Sequence, residues 1–185
     1  MDDKPLALDL YCGRGGWAKG FLAAGWRVMG VDIEDFSSEY PGEFVQADVM
    51  RWELWRVLPV QIVLASEPCQ EFSRWSMPWT RAKNPPYPSR SLELMKRSDY
   101  IAFEKMVPLI RENVRGAQQF IGRSRLNCGA FHLWGDVPAI IPPFAGKKKE
   151  SYGSKDIARR AEVPFHLAFH IAQVFKNYDN ATFTT

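Results

Sequence analysis

The chain has little cysteine, no long apolar run and little net charge, and each shortage removes a class of protein. Its three cysteines, Cys12, Cys69 and Cys128, are an odd number at wide spacing, so neither a disulfide framework nor a metal site is expected. No apolar run approaches a membrane span, and Met1-Asp2-Asp3-Lys4-Pro5 lacks the basic-then-apolar order of a signal peptide. We read a reduced, cytoplasmic protein that holds no metal and touches no membrane. A net charge of +3 permits nucleic-acid binding without arguing for it. The chain shows no internal repeat and no internal boundary. What is there suits one globular domain with a sizeable core: 185 residues, 46% apolar and 24% charged. Aromatics reach 14%, with 7 tryptophans, which favours a surface that stacks on bases or on a partner.

The first strand is Leu6 to Leu10, and Tyr11-Cys12-Gly13-Arg14-Gly15-Gly16 follows it at once. Trp17 to Ala24 has helical spacing, closed by Gly25 as C-cap. Strand, glycine loop and helix form a nucleotide-type cradle, in which Gly13, Gly15 and Gly16 allow tight turning and close ligand approach. Arg27 to Asp32 is the next strand; an acid at its end typically bonds the ribose hydroxyls of an adenosine-containing cofactor. Phe44 to Asp48 is a third. Asp48 either bonds an adenine amino group or caps a helix over Val49 to Leu58.

Gln61 to Ser66 is a buried parallel strand, and Glu67-Pro68-Cys69-Gln70-Glu71-Phe72-Ser73 is the loop at its carboxyl end, where chemistry gathers in such sheets. Cys69 beside a proline is well placed as a nucleophile, although a lone cysteine is more often a small buried hydrophobe. Trp75 to Pro88 carries too many prolines for helix or central strand; its aromatics and cations suit a nucleic-acid contact or a solvated loop. Ser89 to Phe103 reads as an amphipathic helix and Val107 to Val114 as a buried strand. Arg115 to Ile121 reads as a short helical segment and Leu126 to Trp134 as one strand. Pro138 to Pro143 and Lys147-Lys148-Lys149 form an irregular basic connection. Ala161 to Phe175 is the final helix, with Pro164 in its first turn, and Asn177 to Thr185 a loose tail.

Taken together, the glycine cradle, Pro68-Cys69-Gln70-Glu71-Phe72-Ser73 and Glu112-Asn113-Val114 resemble, in order and context, the DNA cytosine-5 methyltransferase family. Arg123-Ser124-Arg125 resembles the end of that family's Gln-x-Arg-x-Arg motif, with Ile121 where glutamine is expected. Val163-Pro164 resembles its closing motif without the usual Gly-Asn. The resemblance implies an open, mostly parallel, doubly wound α/β sheet of the Rossmann-like methyltransferase kind, in one domain over residues 1–185. It implies S-adenosylmethionine as cofactor, held by Tyr11, Gly13, Gly15, Gly16, Asp32, Ile33, Asp48 and Pro68. DNA is the implied substrate, in a bacterial or phage-infected cell.

In that chemistry a thiolate adds to carbon 6 of cytosine and makes carbon 5 able to attack a methyl sulfonium. By resemblance Cys69 is the thiolate, Glu112 binds ring nitrogen 3 and the exocyclic amine, and Arg125 binds the ring carbonyl. The base must leave a duplex stack to reach Cys69. The cysteine's ordinary pKa of about 8.5 must be lowered or offset by its surroundings. Glu67, where the family usually has proline or glycine, tends to raise it. Asp136 to about Ala161 is too short for a folded recognition module, as in short phage-type relatives, so a protein partner is a second possible source of target recognition. Rival readings are an RNA or nucleotide pyrimidine carbon-5 methyltransferase and a non-catalytic cofactor- or DNA-binding subunit. A dinucleotide oxidoreductase shares the cradle but leaves Pro68-Cys69-Gln70 unexplained. The non-enzyme has no need to keep Cys69, Glu112 and Arg125 together.

Overall fold

The computed structural model describes residues 4–76, 87–139 and 162–182, with the backbone alone at 76 and 177–182. Seven strands form one sheet in the order β3-β2-β1-β4-β5-β7-β6. β1 (Leu6–Leu10), β2 (Arg27–Asp32), β3 (Glu43–Gln46), β4 (Val60–Ala65) and β5 (Leu109–Asn113) run parallel to their neighbours. β6 (Leu126–Cys128) and β7 (Phe131–Gly135) form an antiparallel hairpin, and β7 pairs antiparallel with β5. The architecture is a Rossmann-like, doubly wound α/β fold.

β1 is buried along its whole length, which is why its sequence is almost continuously apolar instead of alternating. Alternate residues nevertheless serve two cores. Ala7, Ile62, Leu64 and Ile110 face α1 (Gly16–Ala23) and α5 (Phe165–Thr182). Leu6, Leu8, Leu10, Val63 and Ala65 face Trp52, Trp55 and the helix α3 (Ser89–Lys105). The short α2 (Gln70–Ser76) packs through Phe72 against Met95, Ala117 and Trp134 in a third cluster; Ala117 lies in a 3-10 turn ahead of α4 (Gln118–Ile121).

Close approach of α1 and α5 depends on Gly20. A Cβ there meets the Phe169 backbone nitrogen at 2.4 Å and Ala168 Cβ at 2.5 Å. Gly20→Ala is therefore expected to destabilise the fold by about 1–3 kcal/mol, the usual cost of overpacking, seen as a melting temperature lowered by several degrees. An unchanged melting curve refutes tight α1–α5 packing.

Four elements differ from the sequence reading. Leu126 to Trp134 is a hairpin, not one strand: Gly129 takes φ 66° and, with Cys128 paired to Phe131, leaves a two-residue turn. Val49 to Leu58 holds only a 3-10 turn at Leu54–Val57. α5 starts at Phe165 and runs to Thr182, so much of the expected loose tail is helical. Gln70 to Ser76 is helical, so the cysteine stretch and Trp75 are not all loop. The rest of the proline-rich loop, 77–86, and Lys147 to Lys149 lie outside the described residues.

Candidate active site

The strand order reverses between β1 and β4, and ligands in open α/β sheets bind at such a switch point, outside the carboxyl ends of the strands. The loops leaving those two strands are tied together. Ser66 donates its backbone N–H to the Leu10 carbonyl at 3.2 Å, and Trp17 Nε1 donates to Ser66 Oγ at 3.0 Å. Between them opens a cavity of about 740 Å³, within the range that holds a cofactor-sized ligand.

One wall comes from the ends of β1, β2 and β3. Gly13 takes φ 48° and donates its N–H to Asp32 Oδ2 at 2.9 Å; Glu34 N–H donates to Asp32 Oδ1 at 3.1 Å. Asp32 thus braces the glycine loop, with further lone pairs left for a ligand. Gly16 must lack a side chain, because a Cβ there meets the Val163 nitrogen at 2.5 Å. Tyr11, Gly13, Gly16, Asp32, Ile33 and Asp48 all line the cavity. Gly15 does not; it takes φ 76° beside Pro41 and Tyr40 and shapes the turn from behind. Asp48 also accepts the Met50 N–H at 3.0 Å, so its carboxylate closes a local turn, not a helix.

The other wall comes from the ends of β4 and β5. Pro68, Cys69 and Glu112 line it. Cys69 starts α2, its carbonyl accepting the Ser73 N–H at 2.8 Å. Among the three cysteines it stands apart. Cys12 and Cys128 are buried, and burial pushes both thiols up, Cys12 further under the influence of Asp9 and Asp32. Cys69 is half-buried. Its neighbour Glu67 does not act as a loose carboxylate: the side chain turns inward and pairs with Arg111, Nε to Oε1 at 2.8 Å. The Arg111 charge therefore offsets Glu67 where the thiol lies two residues away.

Arg125 is placed differently. Its N–H donates to the Leu133 carbonyl at 2.8 Å, and Leu133 pairs across the sheet with Glu112. Arg125 is thus level with Glu112 but about 10 Å along the sheet at ordinary strand spacing, with an exposed side chain outside the cavity wall. Ile121 keeps the place where glutamine is expected; three residues earlier, Gln118 Oε1 accepts the Ser124 N–H at 3.2 Å. Trp75 and Tyr87, at either end of the proline-rich loop, both meet Phe120 edge-on, at 5.3 and 5.6 Å between centroids.

No protein-family profile matches the sequence, and no curated protein matches it at a significant level. In fold the chain is similar to a mutant of DNMT2 from Spodoptera frugiperda, with TM-score 0.42 and 21% identity, covering 63% of this chain and 37% of that one. It is similar to the Dnmt2 methyltransferase of S. pombe, with TM-score 0.43 and 16% identity over 63% and 36%. A third likeness is to the PH0226 protein from Pyrococcus horikoshii OT3, with TM-score 0.35 and 18% identity over 68% and 57%. The chain thus spans little more than a third of the first two. Likenesses this partial do not carry chemistry from one protein to another; the cavity itself must supply it.

That chemistry includes residues the sequence reading missed. Among the described residues, seven carboxylates line the cavity, including Glu34, Glu71 and Glu162, against two guanidiniums, Arg14 and Arg90. Both cations are engaged by acids outside the wall, Arg14 by Glu39 at 2.7 Å and Arg90 by Glu93 at 3.3 Å. Glu162 is held by Lys19 at 2.6 Å. Among the described residues the balance in the cavity is acidic. Glu34 is signalled only by its place two residues past Asp32; Arg90 and Glu162 have no local signal, since distant segments bring them in. Among the described residues, no helix is long and apolar enough to cross a membrane.

Proposed function

We propose that this protein transfers a methyl group from S-adenosylmethionine to carbon 5 of cytosine in DNA, through a covalent adduct with Cys69. The observation that carries this reading is one cavity at the switch point, with a glycine cradle and Asp32 on one wall and Cys69 and Glu112 on the other. The residues fit the cofactor. The cradle admits close backbone approach, and an acidic cavity favours a ligand carrying sulfonium and ammonium charges. A pyrophosphate, as in a dinucleotide, meets repulsion there, which argues against the oxidoreductase.

The cofactor supplies an electrophilic methyl group; the chain supplies the rest. Gly13, Gly16, Asp32 and Asp48 hold it, with Tyr11, Ile33 and Pro68 along the cavity and Gly15 setting the turn. The Cys69 thiolate adds to carbon 6 of the ring while a protonated Glu112 donates to nitrogen 3, where charge develops. Once carbon 5 carries the methyl group, loss of its proton and expulsion of the Cys69 thiolate restore the aromatic ring. Arg125 reaches the ring carbonyl when the flipped base extends along the sheet from Glu112. The short stretch from Asp136 to about Ala161 gives few groups to read base edges, so the target is about one to three base pairs, each good contact supplying roughly 1–3 kcal/mol.

Purified protein with methyl-labelled cofactor, offered DNA, RNA and free nucleotides in parallel, tests this. Label at carbon 5 of cytosine in DNA is the expected result. Label only in RNA or nucleotides favours the second enzyme class, and bound cofactor without transfer favours a subunit that depends on a protein partner.

Asp32→Ala frees the N–H groups of Gly13 and Glu34 as well as removing an acceptor. We expect cofactor affinity to fall by about 1–3 kcal/mol, the cost of unsatisfied polar groups. Calorimetry showing wild-type affinity removes Asp32 from the cofactor site.

A further inference from the structure

The ion pair of Glu67 and Arg111 is buried deeper than stability alone explains. The Glu67 carboxylate is wholly buried and the Arg111 side chain 8% exposed. Ser98 Oγ also donates to Glu67 Oε1, at 2.9 Å, while Oε2 is buried without a hydrogen-bond partner. Arg111 Nη2 donates to the Met95 carbonyl at 2.7 Å and to Asp99 at 2.9 Å. Desolvating two such charges offsets most of their attraction, and an apolar pair of similar volume is commonly as stable or more so. A half-satisfied buried carboxylate calls for another explanation.

Position supplies one. Glu67 lies two residues before Cys69, and Arg111 immediately precedes Glu112. The Glu67 carbonyl also accepts Asn113 Nδ2 at 3.0 Å, so Glu67 is bound on both its side chain and its backbone by residues flanking Glu112. One residue on, the Pro68 carbonyl is held by Ser91 Oγ at 3.1 Å. We infer that Glu67 and Arg111 are positioning residues: their pair clamps the loop carrying Cys69 to the strand carrying Glu112, so that thiol and carboxylate address one substrate ring. The inference rests on the roles given above to Cys69 and Glu112.

The test compares wild type with the double variant Glu67→Met/Arg111→Met, which leaves no buried charge stranded. Its melting temperature and cofactor affinity are expected to hold. Turnover per folded molecule falls by on the order of 10- to 100-fold, the scale of small misplacements in an active site, with KM for the cofactor unmoved. Amide exchange in the 66–76 segment, followed by mass spectrometry, rises by about tenfold as the loop opens locally. Arg111→Lys keeps the charge but loses the planar fork; it supplies the same readouts if the double variant does not fold, and is expected to shift both in the same direction. Wild-type turnover, or unchanged exchange in the loop, overturns the clamp. If wild type transfers no methyl group while the exchange still responds, the proposed reaction fails and the clamp stands.

Discussion

Cys69→Ser is expected to abolish methyl transfer, by on the order of 10⁴-fold or more, the scale of removing a nucleophile from a covalent mechanism. Cofactor binding should survive, because Cys69 belongs to the wall built by β4 and β5, while the glycine cradle and Asp32 belong to β1 and β2. Serine keeps the size of the side chain, but its hydroxyl is a far weaker nucleophile than a thiolate. The variant therefore separates chemistry from binding. Two further measurements bear on the same atom. An alkylating reagent should label Cys69 first, since Cys12 and Cys128 are buried with thiols pushed up by burial. DNA containing 5-fluorocytosine, where fluorine replaces the proton to be eliminated, should trap a stable adduct. A serine variant with wild-type turnover sinks the covalent route, as does normal activity without any trapped adduct.

Glu112→Gln should lower turnover by roughly 10²- to 10⁴-fold, the usual contribution of a positioned acid or base, while cofactor affinity stays put. The amide has the shape of the carboxylate but neither its charge nor its proton, so what is lost appears only as charge develops in the ring. The split between binding and turnover is the point of the measurement. Equal losses in both make Glu112 part of the cofactor site; no loss in either makes Glu112-Asn113-Val114 an accidental match. Because Arg111 and Asn113 flank Glu112 and hold the cysteine loop, the Gln variant should also leave the melting temperature unchanged.

The sequence by itself determined the parts whose signals are local. The apolar runs at Leu6–Leu10 and Ile62–Ala65 specify central parallel strands because every residue there is buried. The glycine loop is legible because Gly13 and Gly15 must take positive φ, which side chains disfavour. Nine of the residues singled out in the glycine cradle, at Asp32-Ile33 and Asp48, and in the cysteine and Glu112 stretches line one cavity, since strands of a parallel sheet deliver their carboxyl ends to the same side. What tertiary structure alone decided depends on segments far apart in the chain. Read locally, Glu67 is a carboxylate crowding a thiol; only Arg111, 44 residues later, turns it into a buried anchor. Arg125 follows the expected spacing, yet the hairpin at Gly129 sets it just ahead of the edge strand, level with Glu112 and outside the cavity. Arg90 and Glu162 reach the same cavity from α3 and from the segment before α5, and no pattern around either residue announces it. Periodicity and backbone preference act over a few residues, whereas charge pairing and strand placement are settled by whatever the finished fold brings within a few ångströms.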